Sequence, residues 1–458
     1  MTADNSQEPH EDSRLRRRSR LFLSSWLIAA LVWSVVLGAL FEVRRGTRDA
    51  IAATAATPAE ALSAARALAT DSLAQQRSLE QTGVPLEATR AAIPADNPQT
   101  PDKIALGQKL FFDPRLSADG TVACSTCHDP KLAFTDRKPA SVGIHGRVGQ
   151  RNAPTILNAL YNKTQFWDGR AATLEDQAGQ PIINPSEMGQ PNLDAAVAGI
   201  AAIAEYTQAF QHVFGRAPNA TDLVRAVSSY ERTLVSYDSA FDRFIAGDDG
   251  AIDAAAKRGW ALFNTQGRCN KCHALTDTAP DTTNFMDNDF HNIGIGIIRH
   301  NVVALARQAV RLVNSADAGA IDRAAIETGM SALGRFLITK KEADIASFKT
   351  PNLRNVLVTG PYFHDGSQET LWDVVDHYNK GDGLVDPYLD EDIQPLALTE
   401  DQIDDLVAFM ASLTSPAYQQ QGVAELSRQR AIAQKVRPQR DTARAFGPKP
   451  PRPSPPKP

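Results

Sequence analysis

Cysteine is scarce. The chain has 458 residues and four cysteines, all spent in two short motifs, TVACSTCHDP (121–130) and GRCNKCHAL (267–275). No thiol remains for a disulfide scaffold. Methionine is scarce as well: after the initiator there are Met188, Met286, Met330 and Met410, and none sits in a segment that demands it as a metal ligand. Long alternating strands are missing, which argues against an all-β fold. A net charge of −5 gives no reason to expect nucleic acid as a partner. The 43% hydrophobic content is that of an ordinary globular protein, and the length allows two or three domains with real cores.

One long apolar run is present. LFLSSWLIAALVWSVVLGALF (21–41) is 21 residues without a charge, enough to cross a bilayer as a helix. Arg14, Arg16, Arg17, Arg18 and Arg20 precede it, which puts residues 1–20 in the cytoplasm and everything after the run outside. The run is long for a signal-peptide core and no small-x-small site follows it directly, so an uncleaved anchor is favoured over a cleaved signal. The expected location is a bacterial inner membrane, single-pass, with the body in the periplasm.

Residues 42–95 are rich in Ala and polar residues and read as a stalk or linker, ended by Pro94, Pro98 and Pro101. From Arg428 onward nine cationic residues face a lone acid, Asp441, and the chain closes GPKPPRPSPPKP. Residues 416–458 are therefore expected to be a disordered basic tail. Between these limits the fold class is mainly α. Apolar spacing near 3.6 predicts helices over 102–112, 192–214, 221–237 and 253–263, with Thr221 and Asp222 as a cap, and a helical insertion over 302–333. Gly107, Leu110 and Phe111 precede the first cysteine motif, and Gly259, Leu262 and Phe263 repeat that spacing before the second. Two modules follow, 96–245 and 246–415, read as cytochrome c-like domains packed against each other behind an N-terminal transmembrane helix.

A Cys-x-x-Cys pair alone suits zinc or a thioredoxin-like redox site. Zinc needs four ligands, and the redox site needs a βαβ setting. Neither explains a histidine directly after the second cysteine in both copies. Covalent haem does, because two thiols add to the vinyl groups and the adjacent His ligates the iron. Cys124, Cys127, Cys269 and Cys272 are the attachment sites and His128 and His273 the proximal ligands of two c-type haems.

The chain resembles the bacterial di-haem cytochrome c peroxidases and their MauG-type relatives through about 103–413. The resemblance is carried by LGQKLFFDPRLSADGTVACSTCHDP, RNAPTILNALYNKTQFWDGRAATLEDQA, NPSEMG, FHNIGIG and FKTPNLRNVLVTGPYFHDGSQETLWDVVDHY, in that order. It implies reduction of hydrogen peroxide at the first haem, electron storage at the second, and a calcium ion between them. Trp167 matches the tryptophan between the haems. Glu187 matches the distal acid at the first iron, and Gln177 lines the same pocket. Asn152, Thr359 and Pro361 match calcium ligands, and His364 matches a haem-contacting residue.

Tyr378 departs from the peroxidases proper, which place Met there as the second haem's distal ligand. It matches the MauG-type enzymes instead. Leu371, Val374, Val375 and Tyr378 fall at i, i+3, i+4 and i+7, so a helix turns them to one side while His377 and Asp373 take another. His145, in SVGIHGRVGQRN, is either a gating ligand of the first haem or a surface-loop histidine. Two further function classes stay open: a membrane-anchored electron-transfer cytochrome without peroxide chemistry, and a di-haem oxygenase. The electron source implied is a small cytochrome, a cupredoxin or a protein substrate.

Overall fold

A computed structural model describes residues 89–274 apart from 91, then 284–295, 302–313, 330–381 and 388–444. All belong to one compact unit, Thr70–Pro458. The expected anchor at 21–41 and most of the stalk lie outside the described residues. Among those described, no helix is long and apolar enough to cross a membrane.

The architecture is helical. Helix α1 (Pro101–Phe111) starts where Thr100 accepts from the Lys103 amide and Pro101 fills the first turn. Helix α2 is the four residues Cys124–Cys127. The first half continues with α3 (Leu174–Ile183), α4 (Leu193–Ala201), α5 (Ala204–Phe214) and α6 (Ala220–Glu231). The second half holds α7 (Ala240–Ile245), α8 (Ala254–Asn264), α9 (Val302–Val313), α10 (Phe336–Thr339), α11 (Leu371–Lys380), α12 (Glu400–Ser412) and α13 (Gln419–Arg444). A single antiparallel pair, β1 (Phe290–His291) and β2 (Phe348–Lys349), sets Phe290 opposite Lys349.

Two main cores result. Leu110, Phe111, Tyr206, Phe210, Leu223 and Ala226 are buried in the first. In the second, Phe241, Trp260, Phe263, Phe285 and Phe409 form an aromatic cluster with centroid separations from 4.9 to 6.4 Å. The glycine repeat has a packing reason. A Cβ on Gly107 would lie 1.8 Å from the Ala226 carbonyl oxygen on α6, and one on Gly259 would lie 1.9 Å from that of Asp405 on α12. Each module thus crosses two helices at a point where only glycine fits.

Three expectations are corrected. The stretch 192–214 is two helices, broken between Ala201 and Ala204 where Ile203 is extended. Helix α6 is capped by Asn219, whose carboxamide accepts from the Asp222 amide at 3.0 Å; it ends at Glu231 and not at 237. The expected disordered tail is helical as far as Arg444. Composition hid this because α13 docks through polar groups. Buried Gln429 accepts from the Leu371 amide at 2.8 Å and donates to Tyr362 at 2.9 Å. Arg437 reaches Asp401 at 3.0 Å and Asp404 at 3.2 Å, and Gln421 donates to the Lys131 carbonyl at 2.8 Å. Residues 445–458 lie outside those described.

Candidate active site

A second repeat shapes the site. Residues 154–174 align without a gap to 351–371 at an offset of 197 (351 − 154 = 197), pairing Pro154 with Pro351, Asn158 with Asn355, Phe166 with Phe363, Gly169 with Gly366 and Thr173 with Thr370. The backbone follows. Asn158 and Asn355 have φ of 62° and 61°, Phe166 and Phe363 both 68°. The bridge Gln165–Ala171 recurs as Tyr362–Gln368. Thr173 caps α3 and Thr370 caps α11. The halves also exchange hydrogen bonds: the Asn152 amide donates to the His364 carbonyl at 2.8 Å, and the Lys349 amide to that of Trp167 at 2.7 Å. Both pairs obey the offset, since 152 + 197 = 349 and 167 + 197 = 364.

Around this junction lies a cavity of about 910 Å³ that both cysteine motifs line. None of the four cysteines is in a disulfide. Apolar surroundings push the Cys127 thiol up to about 11 and that of Cys269 to about 12. The motif histidines are held alike. His128 Nδ1 is 3.1 Å from the Phe134 carbonyl, and His273 Nδ1 is 2.6 Å from that of Phe285. Donation from Nδ1–H leaves Nε2 as the electron-pair donor, and burial lowers both pKa values, favouring neutral imidazole. Paired thiols, aimed imidazoles and a large apolar cavity suit two covalently held haems.

The same cavity gathers nearly every residue singled out above. Glu187 lies in its wall on the loop after α3. Asn184 donates to Glu187 Oε1 at 2.7 Å, and burial raises the carboxyl against the opposing pull of Arg170 and of that hydrogen bond. Arg170 is in turn held by Asp168 at 3.1 Å and Gln180 at 3.0 Å. Gln177 lines the wall from α3. Trp167 donates through Nε1 to the Asn152 carbonyl at 2.9 Å. His364 stacks on Phe348 with centroids 3.5 Å apart. Asn152, Thr359 and Pro361 line the cavity together, and the Asn152 carboxamide oxygen has no hydrogen-bond partner among the described residues.

Helix α11 turns Leu371, Val374, Val375 and Tyr378 to the cavity, as the spacing predicts. His377 faces elsewhere and hydrogen-bonds the Ile293 carbonyl at 2.8 Å through Nε2. The Tyr378 hydroxyl has no partner among the described residues, and burial, then the two motif thiols, raises its pKa. His145 stands apart. It sits in the turn Ile144–Gly146 with φ 55°, its side chain is 61% exposed and 3.6 Å from Asp119, and it does not line the cavity. The Ile144 amide bonds the Glu187 carbonyl at 2.9 Å, tying this loop to the acid's own segment.

Sequence reasoning missed two cavity residues. Glu231, at the end of α6, is 5% exposed, and its Oε2 has no hydrogen-bond partner among the described residues. Burial pushes its carboxyl up to about 8 against the nearby Arg232. The two glycine crossings equate Ala226 with Asp405 (405 − 226 = 179), and hence Glu231 with Met410 (231 + 179 = 410), which also lines the cavity. An acid stands where the other module has a thioether. The second missed residue is Lys349, buried in the wall beside Trp167.

A family profile described as di-haem cytochrome c peroxidase matches residues 101–250. The methylamine utilization protein MauG of Methylorubrum extorquens is 37% identical over 322 residues, covering 70% of this chain and 80% of that one. The cytochrome c peroxidase Ccp of Escherichia coli is 35% identical over 321 residues, 70% of this chain and 60% of the relative. Among solved structures, a MauG-like protein associated with microbial copper homeostasis superposes with a TM-score of 0.58 at 29% identity, over 71% of this chain and 92% of that one. With its two haem-attachment motifs facing one cavity, the chain belongs to the di-haem cytochrome c peroxidase and MauG family and is a peroxidase-type oxidoreductase carrying two c-type haems.

Proposed function

We propose that the protein reduces hydrogen peroxide: Cys124, Cys127 and His128 would hold a first haem, with Glu187 as the acid serving peroxide there, and Cys269, Cys272 and His273 would hold a second, to which Tyr378 would supply a further ligand. One observation carries this reading: the offset that pairs Thr173 with Thr370 pairs Pro181 with Tyr378 (181 + 197 = 378). Both residues line the cavity from equivalent helices. Tyrosine offers a phenol oxygen where its counterpart, proline, has no donor at all. The same scaffold would therefore offer a further ligand to one haem and none from the equivalent position to the other.

The haems, when bound, supply iron for peroxide binding and redox change; the rest is the work of the chain. The overall conversion is H2O2 + 2 H⁺ + 2 e⁻ → 2 H2O. Glu187, raised by burial and steadied by Asn184, takes a proton from the attacking peroxide oxygen and hands it to the leaving one. Gln177 and Arg170 bound the space in which that transfer happens. Trp167 lies at the junction of the halves and shortens the path for electrons arriving from the second site. A phenolate is a harder donor than a thioether and lowers the second site's potential, which favours an organic or protein electron source, with a small cytochrome or cupredoxin as the alternative. Asn152, Thr359 and Pro361 would hold calcium through oxygen donors, as that ion prefers. The run 21–41 and the extracytoplasmic chemistry of haem attachment support a membrane anchor with the body in the periplasm.

The test is rapid mixing of the purified diferric protein with peroxide, alongside cyanide titration and EPR. The expected result is one high-spin, cyanide-binding haem and a fast optical change on peroxide addition. Two six-coordinate haems inert to both reagents would make the protein an electron carrier instead.

A further inference from the structure

Among the described residues, buried cations are few and nearly all are partnered. Lys103 donates to Asn97 at 2.8 Å and to the Pro98 carbonyl at 2.6 Å. Arg232 forks onto Glu175 at 2.6 and 2.7 Å, and Arg354 reaches Asp242 at 2.8 Å. Lys349 differs. It is 8% exposed and lines the cavity, yet its ammonium has no hydrogen-bond or ion-pair partner among the described residues. Burial lowers its pKa to about 8, opposed only by the charge of Asp287. That carboxylate already accepts from His291 Nε2 at 2.9 Å. Burying an unpaired ammonium costs several kcal/mol, whereas a methionine would fill similar space without that cost. Such a cation implies an anion that arrives with a ligand.

Its place in the repeat says which ligand. Lys349 is the counterpart of Asn152, and each donates its backbone amide across the junction to the other half's aromatic residue. Asn152, Thr359 and Pro361 form the set proposed for calcium. Their counterparts are Lys349, Asn162 and Thr164 (359 − 197 = 162; 361 − 197 = 164). One side of the junction offers oxygen atoms to a cation, and the other supplies a cation of its own. The anions a c-type haem brings are its two propionates, since its vinyl groups are consumed by the thiols.

We propose that the Lys349 ammonium is the counter-cation of a haem propionate at the junction beside Trp167, fixing that edge of the porphyrin and holding the potential of its iron up. This rests on reading the cavity as a two-haem site. A fixed positive charge favours the ferrous form, so its removal favours the ferric one.

The experiment is spectroelectrochemical titration of the holoprotein and of K349M and K349R, each first assayed by pyridine haemochrome for covalent haem. In K349M with both haems attached, the ferric-to-ferrous ratio of one haem at fixed potential should rise about tenfold, a fall of about 59 mV in a one-electron midpoint. K349R should stay near the wild type. Unchanged potentials in a fully loaded K349M would overturn the proposal. Fewer than two haems on the wild-type chain would instead overturn the two-haem reading beneath it. If K349M does not fold, resonance Raman of the fully loaded wild type and K349R decides: the propionate bending bands should shift when the ammonium is exchanged for a guanidinium, and identical bands would refute the pairing.

Discussion

Glu231 allows a quantitative test, because its burial, its missing partner and its raised pKa make one statement about stability. The perturbation is Glu231→Gln, which keeps the shape and removes the charge. In the unfolded chain this carboxyl titrates near 4.5, in the folded protein near 8. Below pH 4.5 it is protonated in both states and costs nothing. Between the two values the folded state holds a proton that the unfolded state has released, so stability falls as pH rises, and above pH 8 the loss is complete. The span of 3.5 units (8 − 4.5) corresponds to about 5 kcal/mol at 1.36 kcal/mol per unit, an upper figure because buried sites relax around charge. Guanidinium unfolding of the holoprotein, followed by the Soret band from pH 5 to 9, reads this directly. Variant and wild type should be nearly equal at pH 5, and the variant should be more stable by several kcal/mol at pH 9. Other titrating groups cancel in the difference. Curves that stay parallel to within about 1 kcal/mol would refute the claim that Glu231 is buried without a partner.

Replacing Tyr378 with Phe should change the low-spin haem's optical and EPR spectra; identical spectra would return Tyr378 to the apolar wall. Glu187→Gln should slow the peroxide step by roughly two to four orders of magnitude in stopped flow while leaving haem content intact, and an unaffected rate would strip Glu187 of its proton-transfer role. Gly259→Ala would place a methyl group 1.9 Å from the Asp405 carbonyl, so α8 and α12 must separate. The expected cost is about 1–3 kcal/mol or more, read as a lowered thermal midpoint, and an unchanged midpoint would mean the crossing is looser than drawn.

Much of this was legible from residue order. The two cysteine motifs specify their cofactor because covalent attachment and axial ligation need three residues at fixed spacing. The stripe through Tyr378 was readable because helical geometry is local. What escaped notice depended on partners far away in sequence. The polarity of Gln429 and Arg437 read as solvent-facing, yet Gln429 is buried against Leu357 and Tyr362 while Arg437 reaches acids on α12. Glu231 and Lys349 were not singled out, because burial is not a local property and neither has a neighbour in sequence that marks it. The glycine repeat was visible, but only the helix crossings explain it.

The longer repeat was also present in the sequence, and it bears on how one fold serves two purposes. Across the offset of 197 the turn residues persist: Asn158 with Asn355, Gly169 with Gly366, Thr173 with Thr370. These set backbone shape, through positive φ and helix capping. The residues that differ face the cavity: Pro181 against Tyr378, Trp167 against His364, Asn152 against Lys349. A phenol oxygen lines the cavity on one side where the equivalent position on the other has none. An indole stands where the partner half has an imidazole, and a carboxamide stands where it has a cation. The scaffold is held constant by backbone constraints while side-chain exchanges make the two linings unequal, so any difference in what the two sites do lies in the lining and not in the fold.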